Sequence, residues 1–125
     1  MDVAATLENM RRDIGGCDLA ALVDISTGMV LSSAQAVRLP QEELDALGAR
    51  AGEALTGSVA DSAGGITGQD PAMEAVMATS EGSTVCLRGS ADRFEALVLL
   101  CVPGAKIGEV IDCGRRALGD IVSAE

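Results

Sequence analysis

Residues 19–33 read LAALVDISTGMVLSS, two short apolar runs separated by the triplet Ser26-Thr27-Gly28. Gly28 can adopt the positive φ that a tight reversal often needs, and Ser26 can hydrogen-bond its own backbone in the turn. The stretch therefore predicts a β-hairpin. Both faces of the first run are apolar, which is typical of a central strand covered on both sides. The second run is shorter and leads into Ser-Ser-Ala-Gln, as an edge strand does.

An amphipathic helix precedes the hairpin. Apolar residues at Val3, Leu7, Met10 and Ile14 recur at spacings of four, three and four, so they share one helical face. We predict a first helix over about residues 2–14, ended by the glycine pair that follows it.

A second helix is predicted to begin at Pro40, because proline is tolerated in the first turn and acidic residues follow it. Its helical pattern extends to Val59 and contains Gly48, Gly52 and Gly57, each of which costs about 1 kcal/mol of helix stability relative to alanine. Two explanations for Gly48 and Gly52 stay open. They allow either close packing on the chain's own sheet or close packing against a partner's helix.

Three more strands and a last helix complete the pattern. Residues 61–71 are a glycine-rich loop by composition, and they lack the lysine of a phosphate-binding loop. The strands are predicted at Met73–Ser80, Ser83–Arg88 and Phe94–Val102, and the helix at Ile107–Val122. The chain is thus expected to be one α+β domain over residues 1–125, with a five-stranded antiparallel sheet and helices on both faces.

The formal net charge of −10 argues against nucleic acid and anionic membranes as partners. The pairs Arg11-Arg12 and Arg115-Arg116 lie beside acidic residues, and we interpret them as solvated helix faces. No apolar run approaches the roughly 20 residues that cross a bilayer, and the first residues lack the features of a signal peptide. We expect a cytoplasmic protein without membrane insertion.

The sequence contains no histidine, and its four cysteines are widely spaced. We therefore expect no metal site, no cofactor and no catalytic residue, hence no enzyme. We interpret the cysteines as small buried hydrophobic residues of a reducing compartment, and a redox or nucleophilic cysteine is the alternative. The residues are Cys17, Cys86, Cys101 and Cys113.

The element order resembles the roadblock family, the dynein light chain and Ras-like GTPase regulator fold, over nearly the whole chain. Leu22–Leu31 looks like the first hairpin of the family and Leu44–Val59 like its long second helix, rich in small residues. Leu97–Val102 is similar to its core strand, and residues 104–108 to the start of its last helix. The glycine-rich loop and the weak second helix depart from the family pattern.

The resemblance implies a homodimer, or a heterodimer with a paralogous roadblock chain, in which Met73–Ser80 pairs with its copy. The second helices then lie together on the face where bacterial members meet a small Ras-like GTPase. It implies a dimer interface that includes Gly48, Gly52, Met73, Ala75, Met77 and Thr79. It implies a partner-binding surface that includes Asp45, Ala46, Ala49, Arg50, Glu53 and Gly57.

The predicted function is that of a non-catalytic homodimeric regulator or scaffold that modulates the nucleotide cycle or the localisation of the GTPase. The alternative is a small-molecule sensor or protein-interaction module, because profilin-like and PAS-like folds have a similar architecture and fold alone does not decide function. The absence of tryptophan, tyrosine and histidine disfavours a ligand pocket.

Overall fold

The computed structural model describes residues 2–36, 38–56, 74–89 and 94–123. Its helices are α1 (Val3–Asp13), α2 (Gln41–Thr56) and α3 (Ile107–Ser123). Its strands are β1 (Cys17–Asp24), β2 (Met29–Gln35), β3 (Glu74–Thr79), β4 (Gly82–Arg88) and β5 (Glu95–Cys101). The predicted element order and α+β class are confirmed. The predicted loop 61–71 and residues 57–59 of the second helix lie outside the described residues.

All strand pairs are antiparallel, and the order across the sheet is β2-β1-β5-β4-β3. The β1–β2 hairpin and the β3-β4-β5 meander meet where β1 pairs with β5, from Cys17 opposite Cys101 to Asp24 opposite Glu95. The hairpin and the meander therefore join edge to edge, as the long connection through α2 permits. The two outer strands of the sheet are β2 and β3.

The helices divide between the two faces of the sheet. The apolar stripes of α1 and α3 share one core with alternate residues of the strands, among them Leu22, Leu87 and Leu97. The stripe of α2 shares the other core with Val23 and Val98, which lie on the opposite face because strand residues alternate. This division explains why the first strand is apolar on both sides.

The hairpin turn is organised by Asp24. Both the backbone N–H of Ser26 (2.9 Å) and its hydroxyl (2.5 Å) donate to the Asp24 carboxylate. The Gly28 N–H donates to the Asp24 carbonyl oxygen (2.7 Å), and Gly28 has φ +76° as predicted. The hydroxyl of Ser26 thus binds a neighbouring carboxylate, whereas the sequence suggested a bond to its own backbone. These bonds lower the pKa of Asp24, the Ser26 side chain having the largest effect.

Replacing Asp24 with alanine is expected to lower the free energy of unfolding at pH 7 by about 0.5–1 kcal/mol, because the turn loses these acceptors while solvent screens the charge. Since the folded-state pKa is depressed, the carboxylate stabilises the fold fully above its ordinary pKa of about 4 and progressively less as pH falls through the folded value. Urea unfolding from pH 7 down to pH 2 measures this. The exposed Asp120→Ala control should stay within about 0.5 kcal/mol of the parent, and an equal loss in both variants would contradict the assignment.

Candidate interaction surface on the second helix and the third strand

One side of α2 is buried and the other is open. Leu44, Leu47, Ala51 and Leu55 are buried, with exposed fractions of 8% or less. The opposite side presents five of the six residues predicted to bind a partner, and all five are exposed: Asp45, Ala46, Ala49, Arg50 and Glu53. The sixth, Gly57, lies outside the described residues.

The first turn of α2 is anchored by backbone contacts. The carbonyl oxygen of Pro40 accepts from the N–H groups of Glu43 (3.0 Å) and Leu44 (3.2 Å). On the outer side, the Gln41 amide donates to the Asp45 carboxylate (2.9 Å), one turn further along the helix. These contacts hold the start of α2 in place. Its exposed side carries both positive and negative charges, from Arg50 and from Asp45 and Glu53.

The two glycines at the centre of α2 face the chain's own hairpin. A Cβ on Gly48 would overlap the carbonyl oxygen of Gly28, and one on Gly52 would lie 3.1 Å from that of Ile25. Both glycines are buried. Of the two explanations open at the sequence level, the structure therefore favours close packing within the chain. We leave Gly48 and Gly52 out of the interface proposed below for that reason.

Strand β3 is the outer strand of the described sheet on the side of Met77. It pairs with β4 in an unbroken register from Glu74 opposite Leu87 to Thr79 opposite Gly82, and its other side has no strand partner among the described residues. Val76 and Met77 are 44% and 38% exposed. Ala75 packs against the core beneath α2, so Ala75 and Met77 point to the α2 face. Met73 lies outside the described residues.

The one charged side chain of β3 is drawn away from the edge. Glu74 accepts from the guanidinium of Arg115 on α3, whose Nη2 lies 3.0 Å away. The same guanidinium donates to the backbone carbonyl of Arg88 (2.6 Å). Lysine, proline, bulges and inward-pointing charges usually protect an edge strand from pairing. None of them interrupts β3 between Glu74 and Thr79.

The opposite edge is less regular. The β1–β2 register shifts between Leu22 and Val23, which leaves Leu31 as the extra residue of a β-bulge. Met29 and Leu31 are 60% and 52% exposed. Because a bulge twists the strand and breaks its ladder, β2 is a poorer template for pairing than β3.

A cleft of about 550 Å³ lies between α2 and the sheet, next to β3. The structure brings Arg50 of the predicted partner surface and Met77 of the predicted dimer interface to the same cleft. The rest of its wall is formed by Asp18, Leu19, Leu39, Glu81, Gly82, Ser83, Thr84, Leu100 and Cys101. A larger groove, about 920 Å³, separates α1 from α3 on the other face, and none of the predicted site residues lines it.

Several buried polar contacts were not predicted. Arg88, 5% exposed, has its guanidinium carbon 6.0 Å from the ring centroid of Phe94, the single aromatic residue of the chain. Arg115 is partly buried and bonded as described above. Arg11 donates to Glu8 (2.6 Å), which lowers the pKa of that carboxyl. The interpretation of the arginine pairs as solvated faces is wrong for Arg115, which reaches Glu74 and the Arg88 backbone on the sheet. Arg11 keeps its acidic neighbour on the same helix and also donates to the Cys17 carbonyl oxygen on β1 (3.4 Å).

The four cysteines differ in burial and in acidity. Cys17, Cys86 and Cys101 are buried free thiols, and Cys113 is half-buried. Burial raises the pKa of Cys86 to about 11, which is opposite to what a nucleophile requires. Within the described ranges, no three metal-ligating side chains lie close enough together to hold an ion. None of the described helices combines the length and apolar character that crossing a bilayer demands.

No family model matches the sequence, and no curated protein does either. Several solved structures are similar to the chain. A roadblock/LC7 domain from Streptomyces avermitilis is 15% identical, with a TM-score of 0.82 over 99% of this chain and 98% of that one. The gliding protein MglB from Thermus thermophilus is 22% identical, with a TM-score of 0.80 over 97% of this chain and 86% of that one. Another MglB structure, with a tetrameric arrangement, is also 22% identical, with a TM-score of 0.81 over 97% of this chain and 85% of that one. Schizosaccharomyces pombe profilin has a TM-score of 0.60 at 18% identity, over 98% of each chain. The chain therefore has the roadblock fold, and profilin shares the wider architecture.

Proposed function

We propose that this chain is a non-catalytic, self-associating regulator or scaffold of a small Ras-like GTPase. The observation that carries the proposal is that α2 and Met77, on β3, the outer strand of the described sheet, lie on the same face of that sheet. The similarity to MglB and to roadblock/LC7 domains supports it.

Pairing of β3 with a second copy generates the partner surface. A two-fold axis through the middle of β3 would place two β3 strands antiparallel and continue the sheet from one copy into the next. The α2 helices of both copies would then lie on the same face of the joined sheet. The resulting surface is larger than one helix, and neither copy has it alone. The partner copy is the same chain or a paralogous roadblock chain.

The surface proposed for the GTPase consists of Asp45, Ala46, Ala49, Arg50 and Glu53, all exposed on α2. Two alanines allow another backbone to approach closely, and three charges set the orientation. Because the chain has a net charge of −10 and a single aromatic residue, recognition rests on charge pattern more than on deep aromatic anchors. This favours a GTPase whose contacting surface places acidic groups opposite Arg50 and basic groups opposite Asp45 and Glu53.

We further propose that the chain acts in the cytoplasm and modulates the nucleotide cycle or the location of the GTPase without chemistry of its own. The buried free thiols support a reducing compartment. The GTPase would supply the bound nucleotide and the hydrolytic residues, and this chain would supply a shaped surface.

Reversing the charge of Arg50 is expected to weaken GTPase binding about tenfold, because a surface charge that faces the partner mainly sets orientation and association rate. Calorimetry with small GTPases encoded near this gene, loaded with GDP or a non-hydrolysable GTP analogue, measures it. Arg116→Glu, on the exposed side of α3, is the matched control and should bind normally. No binding by the parent chain in either nucleotide state, or equal weakening in both variants, would contradict the proposed function.

A further inference from the structure

Two cysteines far apart in sequence face each other across the junction of the sheet. Cys17 on β1 and Cys101 on β5 are direct register partners. They are 4% and 5% exposed, and both belong to the core beneath α1 and α3. The other two cysteines are placed differently, because Cys86 lies opposite Ala75 and Val98, and Cys113 lies on α3.

The backbone around the pair is irregular on the β1 side. The Val102 N–H donates to the Gly16 carbonyl oxygen (2.8 Å), one residue outside the pair, and the Cys17 N–H donates to Ile14 (3.4 Å) and not to Cys101. The register shifts between Cys17 and Leu19, so Asp18 is the extra residue of a β-bulge directly beside the pair, and the Cys17 thiol donates to the Leu19 carbonyl oxygen (3.3 Å). Disulfides span Cα separations of about 4.4–6.8 Å. Cys17 and Cys101 are register partners whose side chains enter the same core, so a cross-strand disulfide has the opposed positions and the shared face that it requires.

The two thiols also differ in acidity. The hydrogen bond with Cys17 lowers the pKa of Cys101, while the same contact and burial raise the pKa of Cys17. Cys101 also lines the cleft next to β3, whereas Cys17 is not part of its wall, so a small disulfide reaches Cys101 first and Cys17 resolves the intermediate.

We propose that Cys17 and Cys101 form a modification site, a dithiol that a small disulfide such as oxidised glutathione converts to a cross-strand disulfide. The Cys101 thiolate attacks one sulfur of the oxidant, whose S–S bond breaks and releases one thiolate, which takes up the Cys101 proton. Cys17 loses its proton, attacks the mixed disulfide at Cys101 and expels the second thiol. The protein gives up two electrons and two protons, and the oxidant becomes two thiols.

The bond would clamp the sheet at the seam between its two sequence halves. The β1–β2 hairpin and the β3-β4-β5 meander meet where β1 pairs with β5. The cross-link would close a long loop of chain, from residue 17 to residue 101, and restrict the unfolded state accordingly. Both side chains belong to the core beneath α1 and α3, and Cys101 also borders the cleft that Arg50 lines, so the cross-link would lie next to the proposed GTPase contact.

The test equilibrates the full chain in glutathione buffers of increasing oxidised fraction, quenches free thiols and maps the peptides without reduction. We expect one intramolecular 17–101 cross-link, and a Tm about 10 °C above that of the reduced chain. Cys86→Ser, which removes a cysteine outside the pair, should retain both results, and Cys101→Ala should lose both. Because Cys101→Ala changes a buried residue, Cys17→Ala serves as an independent second variant.

Recovery of all four cysteines as free thiols after oxidation would overturn the proposal. So would glutathione adducts confined to Cys113, the one half-buried cysteine. A 17–101 cross-link that persists at the reduced glutathione fraction typical of cytosol would also support the site, and would identify it as structural.

Discussion

Replacing Gly48 with alanine is expected to destabilise the chain by about 2 kcal/mol or more, although alanine is the better helix former. The added methyl group would overlap the carbonyl oxygen of Gly28, which is backbone and cannot rotate away. The helix or the hairpin would have to shift, and both belong to the core that contains Leu47 and Val23. Urea unfolding followed by circular dichroism measures the change, since the chain has no tryptophan for fluorescence.

The control is Gly119→Ala. Gly119 also lies within a helix, but a Cβ there meets no atom within 4 Å. That variant should gain up to about 1 kcal/mol from helix propensity alone. If Gly48→Ala were as stable as Gly119→Ala, α2 would not be held against the hairpin as described, and the partner-helix explanation for its glycines would return.

Replacing Met77 with lysine is expected to shift the chain from dimer to monomer and raise the dimer Kd by at least about tenfold, a change of about 1.4 kcal/mol. Met77 is 38% exposed near the middle of β3, so a two-fold pairing of this edge would bring the two lysines close together. Lysine on an exposed strand is also a common natural protection against edge pairing. Light scattering after size exclusion, over a wide concentration range, measures the association.

The matched control places the same charge on the other edge. Leu31 is 52% exposed at the bulge of β2, and Leu31→Lys should leave the dimer intact. A parent chain that stays monomeric at high concentration would refute self-association. Equal loss of dimer in both variants would refute the choice of β3, while the GTPase contact of α2 would be tested separately by Arg50→Glu.

Strand ends show where local pattern stops being sufficient. The sequence predicted a first strand from Leu19 and a second that ends at Ser33, and the structure extends them to Cys17 and Gln35. Cys17 belongs to β1 because it pairs with Cys101, 84 positions later (101 minus 17). No nearby residue carries that information, so local periodicity could not have predicted it.

The partner surface divides in the same way. Helical periodicity alone separated the outward residues Asp45, Arg50 and Glu53 from the buried stripe, and the structure places them so. Helical periodicity did not decide what the glycines of α2 face, because Gly48 contacts the turn at Gly28, twenty residues earlier in the chain. Arg88 was likewise missed. Arg88 lies two residues after the buried Cys86 on β4, so strand alternation places both on the same face. That signal was outweighed by the expectation that arginine stays in solvent.

The sequence by itself determined the order of helices and strands, the first hairpin, the two helix-covered faces and the outward side of α2. These follow from residue spacing of two or about 3.6, which is a local property of the chain. Only the tertiary structure decided that β1 joins β5, that β3 is a regular outer strand of the described sheet, and that Cys17 meets Cys101. Those facts depend on strand pairing between distant residues, whose register is set by the packing of the whole sheet.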